Sequence, residues 1–191
     1  MTTTTTDRIL NFSAGPATLP EPVLQQAQKD LWNIANSGIG ICEHSHRGPV
    51  FDKVINEAVA DCREVGNVPE EFEIIFLQGG APLQFAMLAL NFLKEGQTAN
   101  YIDTGVWTTK AIKEAKKIGN VHVAFDGSES NYDHCPDKDE LNLVNDAAYL
   151  HYCSNNTIYG TRFSNVPETN SPVICDMSSD MFSRAIDWSK I

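Results

Sequence analysis

No apolar run in this 191-residue sequence approaches the roughly 20 residues a membrane-spanning helix needs, so no membrane partner is expected. The N-terminus, MTTTTTDR, lacks the apolar core of a signal peptide, and its threonine run reads as a frayed end. Positive charge is scarce: 14 Lys and Arg stand against 25 Asp and Glu, a net charge of −11. Nucleic-acid binding depends on clustered cations, so that class of partner is excluded. A single small anion is not, because a few local donors can hold one phosphate.

The five cysteines (Cys42, Cys62, Cys135, Cys153 and Cys175) are odd in number and widely spaced, and no CxxC pair occurs. They read as reduced thiols of a cytoplasmic protein, with Cys62 and Cys175 expected in the core. His44 and His46 lie close together, but no further ligands follow at matched spacing, so no metal site is expected. There is no internal repeat. A content of 42% hydrophobic and 20% charged residues fits a soluble globular chain rather than a disordered one.

Helical and strand patterns alternate from about residue 70 onward, which predicts an α/β fold with a mainly parallel sheet between helices. Before that, one helix is expected after Pro20, with Val23, Ala27, Leu31 and Ala35 on one face. A second is expected over 51–65, with the stripe Phe51, Val54, Ile55, Ala58, Val59 and Cys62, closed by Gly66 and Pro69. FEIIFL (72–77) has strand composition. GGAP then opens a helix carrying Leu83, Met87 and Leu90. QTANYID, NVHVAF, AAYLHYC and PVICDM read as further strands, and GVWTTKAIKEAKKIG as a helix. The acidic stretch 126–146 reads as surface, and SNNTIYGTRF as a long polar loop.

Five places could carry chemistry. In FLQGGAPLQF a helix begins at Ala81-Pro82, just past Gly79-Gly80. Proline suits the first turn, and the free amides there suit a phosphate. An ordinary tight turn would use the same residues. In CEHSHRGPVF, Arg47 beside His46 could grip a carboxylate or phosphate with its planar fork, or both could simply be solvated. Trp107, just past a strand, could stack on a planar ligand or pack in the core. Asn155, Asn156 and Thr157 follow a strand's carboxyl end, where open α/β sheets bind ligands, although they are also common turn residues. Asp176 arrives through an apolar strand and needs a partner: a backbone amide, the two serines after it, or a cationic ring nitrogen on a cofactor.

Taken in order, NFSAGPATLP, EHSHRG, GGAPLQF, DTGVW, HYCSNNTIYG and CDMSSDMFSR span nearly the whole chain. This series resembles the phosphoserine aminotransferase family, pyridoxal 5'-phosphate enzymes of fold type I. The resemblance implies a three-layer α/β/α large domain over 16–191, an N-terminal arm over 1–15, and a small C-terminal domain absent from this chain. It implies that Asp176 pairs with the cofactor's ring nitrogen, Trp107 stacks on the ring, and Gly80, Ala81 and Pro82 line its phosphate. Thr157 would bond the ring's phenolic oxygen or the phosphate, and His46 and Arg47 would bind the substrate's acidic group. Relatives often carry Ser or Arg where Pro82 stands, and proline has no amide to give.

The implied reaction moves the amino group of glutamate to 3-phosphohydroxypyruvate, a step of serine biosynthesis, with a related role in vitamin B6 synthesis in some members. A homodimer is implied as well, each site borrowing residues from its neighbour. The lysine that holds the cofactor covalently would lie beyond Ile191. Lys190 sits in the wrong segment for it, so no catalytic residue is assigned and this chain alone is expected to be inactive. Two alternatives remain: another enzyme of the same fold type, such as an alanine–glyoxylate aminotransferase or a cysteine desulfurase, or a non-catalytic fragment that binds the cofactor or a partner chain.

Overall fold

The computed structural model describes residues 8–13 and 15–190. The threonine run falls outside the described residues, as does part of the expected arm. Contacts divide the chain into two compact units, Met1–Glu64 and Val65–Ile191.

In the first unit, helix α1 (Glu21–Asn33) starts behind Pro20, whose carbonyl accepts the amides of Val23 and Leu24. None of its residues is buried. The expected stripe therefore remains uncovered, and Ala35 lies past the helix end at φ 51°. Single 3-10 turns follow at Ile34–Asn36 and Ile41–Glu43. Helix α2 (Pro49–Gly66) contains the predicted 51–65 span. It opens on proline, whose missing amide would have had no partner there.

The second unit is built on four parallel-paired strands: β1 (Thr98–Asp103), β2 (Asn120–Asp126), β3 (Leu150–Cys153) and β6 (Val173–Asp176), in the order β2-β1-β3-β6. A two-stranded antiparallel hairpin, β4 (Asn155–Asn156) and β5 (Thr161–Arg162), leaves the end of β3. This corrects the reading of SNNTIYGTRF as loop alone. Two-residue alternation sends side chains to opposite faces of the sheet. On one face, Ala99, Tyr101 and Tyr149 pack with Phe85, Ala89 and Leu93 of helix α3 (Gly80–Phe92) and its end, and with Ala111, Ile112 and Ala115 of helix α4 (Val106–Ala115). On the other, Ile102, Leu150, Tyr152 and Phe163 meet Cys135, Leu141 and Leu143.

Three expectations are corrected here. The 126–146 stretch is not merely surface, because Cys135, Leu141 and Leu143 roof the second core. Asn100, fully buried, ties the stretch down: its side chain donates to the Val144 carbonyl (3.0 Å) and accepts the Val144 amide (3.1 Å). In α3, Leu83 and Leu90 point outward, and Phe85 and Ala89 do the packing. FEIIFL forms no strand, and Ile75, Phe76 and Leu77 are exposed. A strand exists only through hydrogen bonds to a neighbour, and no described strand lies against this segment.

Candidate functional site

Because the four strands run parallel, β1, β3 and β6 deliver their carboxyl ends to one edge of the sheet, where open α/β sheets take ligands. β6 brings Asp176 there, in register with Cys153 of β3. The chain then turns on Asp176 itself. The Ser178 amide (3.0 Å) and hydroxyl (2.6 Å) both donate to its Oδ1, a side-chain-to-backbone turn. Oδ2 receives no hydrogen bond among the described residues. Of the two serines expected as partners, only Ser178 serves Asp176. Ser179 instead exchanges bonds with Asn155, accepting from its amide at 2.9 Å and donating to its carbonyl at 3.2 Å.

A cleft of about 440 Å³ opens beside this carboxylate, walled by Ala81, Gln84, Phe85, His151, Asp176 and Met181, among others. Ala81 belongs to the first turn of α3. There the left-handed Gly79 (φ 105°) leads into the helix, and a Cβ on it would lie 2.3 Å from the Leu83 side chain. Amides at a helix start have no internal acceptors and sit at the positive end of the helix dipole. The sequence-predicted Ala81 and Asp176 thus share one cavity. Gly80 precedes Ala81 in the same turn, and Pro82 follows it, exposed.

Trp107 stands on the turn after β1, and that turn is held from beneath. Buried Asp103 accepts the Thr108 hydroxyl (2.7 Å), the Gly105 amide (3.2 Å) and the Thr109 hydroxyl (3.1 Å). The Thr108 hydroxyl oxygen in turn accepts the Thr104 and Gly105 amides. Trp107 is half-buried, with the Lys110 ammonium 4.6 Å from its ring centre. Thr157 lies exposed in the turn of the β4–β5 hairpin. The two turns are joined by buried Asn156, which donates to the Thr104 carbonyl (2.9 Å) and accepts the Ile158 amide (3.1 Å). Gly105, at φ 145°, makes the room: a Cβ there would lie 1.9 Å from the Asn156 amide nitrogen. A third tie reaches β6. Ser154 donates its amide to the Asp176 carbonyl (3.0 Å) and its hydroxyl to buried Asp180, which pairs with Arg184 at 3.3 Å.

His46 and Arg47 belong to the first unit, exposed in the turn before α2, where the Arg47 amide bonds the Ser45 hydroxyl at 3.2 Å. Lys190 closes a 3-10 turn with its ammonium 3.9 Å from Asp187.

The sequence reading missed two contributors, and of Asn156, which it did single out, it missed the tie between two turns. Asp103 was visible only as a motif letter, since its hold on the Gly105 amide and the Thr108 and Thr109 hydroxyls appears only once the turn is folded. His151 was read as strand interior. Its ring is 1% exposed, stacked on Tyr101 (centroids 4.8 Å, 27°) and edge-on to Phe85, and neither nitrogen has a hydrogen-bond partner. Burial pulls its pKa down to about 4 against the opposing charge of Asp176, so the ring is neutral near pH 7. Burial also pushes the Cys153 thiol up to about 12 and Cys175 to about 11. Both stay protonated, which is wrong for a nucleophile. Among the described residues no cluster of His, Cys, Asp and Glu is placed to hold a metal ion.

A carboxylate and free helix-start amides on one cleft suit a ligand with a cationic nitrogen and an anionic group, while Trp107 and Thr157 do not line that cleft. The chain is similar to known proteins. The phosphoserine aminotransferase of Desulfotalea psychrophila is 47% identical over 184 residues, which are 96% of this chain and 51% of that one. The solved phosphoserine aminotransferase from Bacillus circulans subsp. alkalophilus superimposes with a TM-score of 0.89 at 49% identity, over 95% of this chain and 50% of that one. The PLP-bound phosphoserine aminotransferase from Trichomonas vaginalis gives 0.88 at 38% identity, over 96% and 52%. The chain thus spans about half the length of the curated relatives it matches. Residues 9–191 match the family described as Aminotransferase class-V, and the chain belongs to that family.

Proposed function

We propose that this chain forms the cofactor-binding part of a phosphoserine aminotransferase, which moves the amino group of glutamate to 3-phosphohydroxypyruvate, giving O-phosphoserine and 2-oxoglutarate. The observation that carries this reading is the shared cleft: the Asp176 carboxylate and the first turn of α3 face one cavity at the carboxyl edge of a parallel sheet. Bound there, pyridoxal 5'-phosphate supplies an electron sink for the bond-breaking step at the substrate's α-carbon.

Asp176 accepts the ring N–H and keeps that nitrogen protonated, because an adjacent negative charge favours the cationic form. Ser178 orients it through Oδ1. Gly80 and Ala81 offer amides to the phosphate, and Pro82 gives shape but no donor. Trp107 covers a ring face, and Thr157 offers its hydroxyl to the phenolic oxygen or the phosphate. His46 and Arg47 take the substrate's acidic group. The lysine required for covalent attachment is not assigned to any residue of this chain.

The large-domain assignment over 16–191, cytoplasmic residence and homodimerisation belong to the same proposal. Five unpaired thiols support a reducing compartment. Exposed Ile9, Leu10 and Phe12 support burial of the N-terminal segment against another surface. A role in vitamin B6 synthesis is the related activity this site would also accommodate.

Equilibrium dialysis with pyridoxal 5'-phosphate tests the reading. Asp176→Ala should weaken binding by about tenfold or more, the worth of a charged hydrogen bond. Equal affinity of the variant and the parent refutes the pairing. With the complete gene product, glutamate plus 3-phosphohydroxypyruvate should be turned over in preference to glyoxylate or cysteine as partner substrates.

A further inference from the structure

Ser154 is the residue at which the chain leaves the parallel sheet and enters the β4–β5 hairpin. Its amide still donates to the Asp176 carbonyl of β6 (3.0 Å), while its carbonyl already accepts the Phe163 amide, just past β5 (2.9 Å). The four-stranded sheet and the hairpin are separate ladders. One backbone bond on each side of Ser154 therefore leaves the junction able to swivel about soft backbone dihedrals. The Ser154 hydroxyl donates to the Asp180 carboxylate, and the two residues are 1% and 6% exposed.

Asp180 is placed to stop that motion. Its Oδ1 accepts from Ser154, and its Oδ2 accepts from Arg184 Nη2 (3.3 Å). Arg184 Nη1 in turn donates to the Phe163 carbonyl (2.9 Å). This buried carboxylate thus holds the root of the hairpin's first strand directly. It holds the end of the second through a planar fork, whose geometry a lysine cannot copy. Asp180 itself is fixed to the turn that follows Asp176, its amide donating to the Met177 carbonyl (3.2 Å). Beside it, Ser179 exchanges two bonds with Asn155. A buried carboxylate needs partners in any fold, but here both partners lead to the hairpin.

We infer that Asp180 is a positioning residue: with Ser154 and Arg184 it locks the β4–β5 hairpin, and so Thr157 in its turn, at a set angle to the Asp176 turn. The value of that angle for binding pyridoxal 5'-phosphate rests on the function proposed above; the lock itself does not. A carboxylate suits the task, since its two oxygens accept from two directions at once. The bonds it makes are charged ones, roughly twice as strong as neutral ones.

Two measurements test it. Asp180→Asn keeps the shape of the side chain but leaves one accepting oxygen and no charge. The first is hydrogen exchange of the intact chain without cofactor. The Ser154 and Phe163 amides should exchange about tenfold faster in this variant, while the Asn100 amide, bonded to the Tyr149 carbonyl (2.9 Å), should keep its rate. Unchanged rates at 154 and 163 overturn the inference. Should Asp180→Asn fail to fold, Arg184→Lys, which keeps the charge and loses the fork, reads the same two amides. The second compares pyridoxal 5'-phosphate affinity. Asp180→Asn and Thr157→Ala should each weaken binding, the former by about tenfold. In a Thr157→Ala background Asp180→Asn should change it by no more than about twofold, because the hydroxyl it positions is already gone. A further loss of about tenfold there marks Asp180 as a residue of stability alone and overturns the inference. If Asp180→Asn binds as the parent does while Thr157→Ala binds weakly, the inference is wrong and the proposed function stands. Normal binding by Thr157→Ala removes Thr157 from the proposed site, and the exchange arm then decides on the lock.

Discussion

Replacing Gly105 with alanine should be among the most damaging single-methyl additions in the second unit. The backbone there has φ 145° and ψ −165°, a region open essentially to glycine alone, where another residue costs about 1–3 kcal/mol. The new methyl would also lie 1.9 Å from the Asn156 amide nitrogen and 3.0 Å from the Tyr159 ring. Asn156 must then leave the Thr104 carbonyl. Breaking a buried bond of that kind costs about 1–3 kcal/mol more. The sum, about 2–6 kcal/mol, is a large share of a typical domain stability of about 5–15 kcal/mol. Gly160 is the internal control: its φ is also positive (77°), but nothing lies within 4 Å of an added Cβ. Gly160→Ala should cost only about 1–2 kcal/mol. Urea unfolding followed by tryptophan fluorescence would measure both. The clash and the strain separate in a double-mutant cycle, because Asn156→Ala removes the obstructing amide and should make Gly105→Ala cheaper. A Gly105→Ala cost no greater than that of Gly160→Ala, or strict additivity with Asn156→Ala, would refute the reasoning.

Tyr101 and Tyr149 share a buried hydroxyl–hydroxyl bond of 2.8 Å. Tyr101→Phe should therefore cost about 1–3 kcal/mol by stranding its partner, and adding Tyr149→Phe should recover part of that; a double variant worse than either single one argues against the pair. His134 lies between Asp133 (2.7 Å) and Glu140 (3.2 Å), and these carboxylates, Asp133 first, raise its pKa above the ordinary 6.5. The stabilisation it brings is complete below about pH 6.5 and fades as pH rises through the raised value. A proton NMR titration should place the His134 midpoint above 6.5, and Asp133→Asn should lower it; an unchanged midpoint would show that the contact is not formed in solution.

Local pattern revealed the elements whose partners lie nearby in the fold, and failed where the decisive neighbour is distant in sequence. TANYID and FEIIFL have similar strand character, yet only the first finds neighbours in β2 and β3. The helix from Gly80 was legible, but its buried face was not: Leu83 and Leu90 were as apolar as Phe85, and only the docking of α3 on β1 and β3 decides between them. Asp176 could be singled out because an apolar run ending in an acid is chemically odd. His151 could not, since a histidine in a strand is unremarkable until both its nitrogens prove unpartnered. The tie from Asn156 ends on backbone groups, which a sequence does not display, and that from Asp103 on one backbone amide and two hydroxyls that only the folded turn gathers.

Asn100 gives β1 a property its apolar neighbours could not. Its amide matches the backbone of residue 144 in both directions, as a neighbouring strand would. Were β1 to slide by one residue, Asn100 would turn toward the mainly apolar face lined by Ala89 and Ala111, away from the backbone of residue 144, and the tether on the 126–146 stretch would come undone. One polar side chain thereby works as a key, letting the central strand seat in a single alignment and carrying Asp103, at the strand's end, to its place under the Trp107 turn.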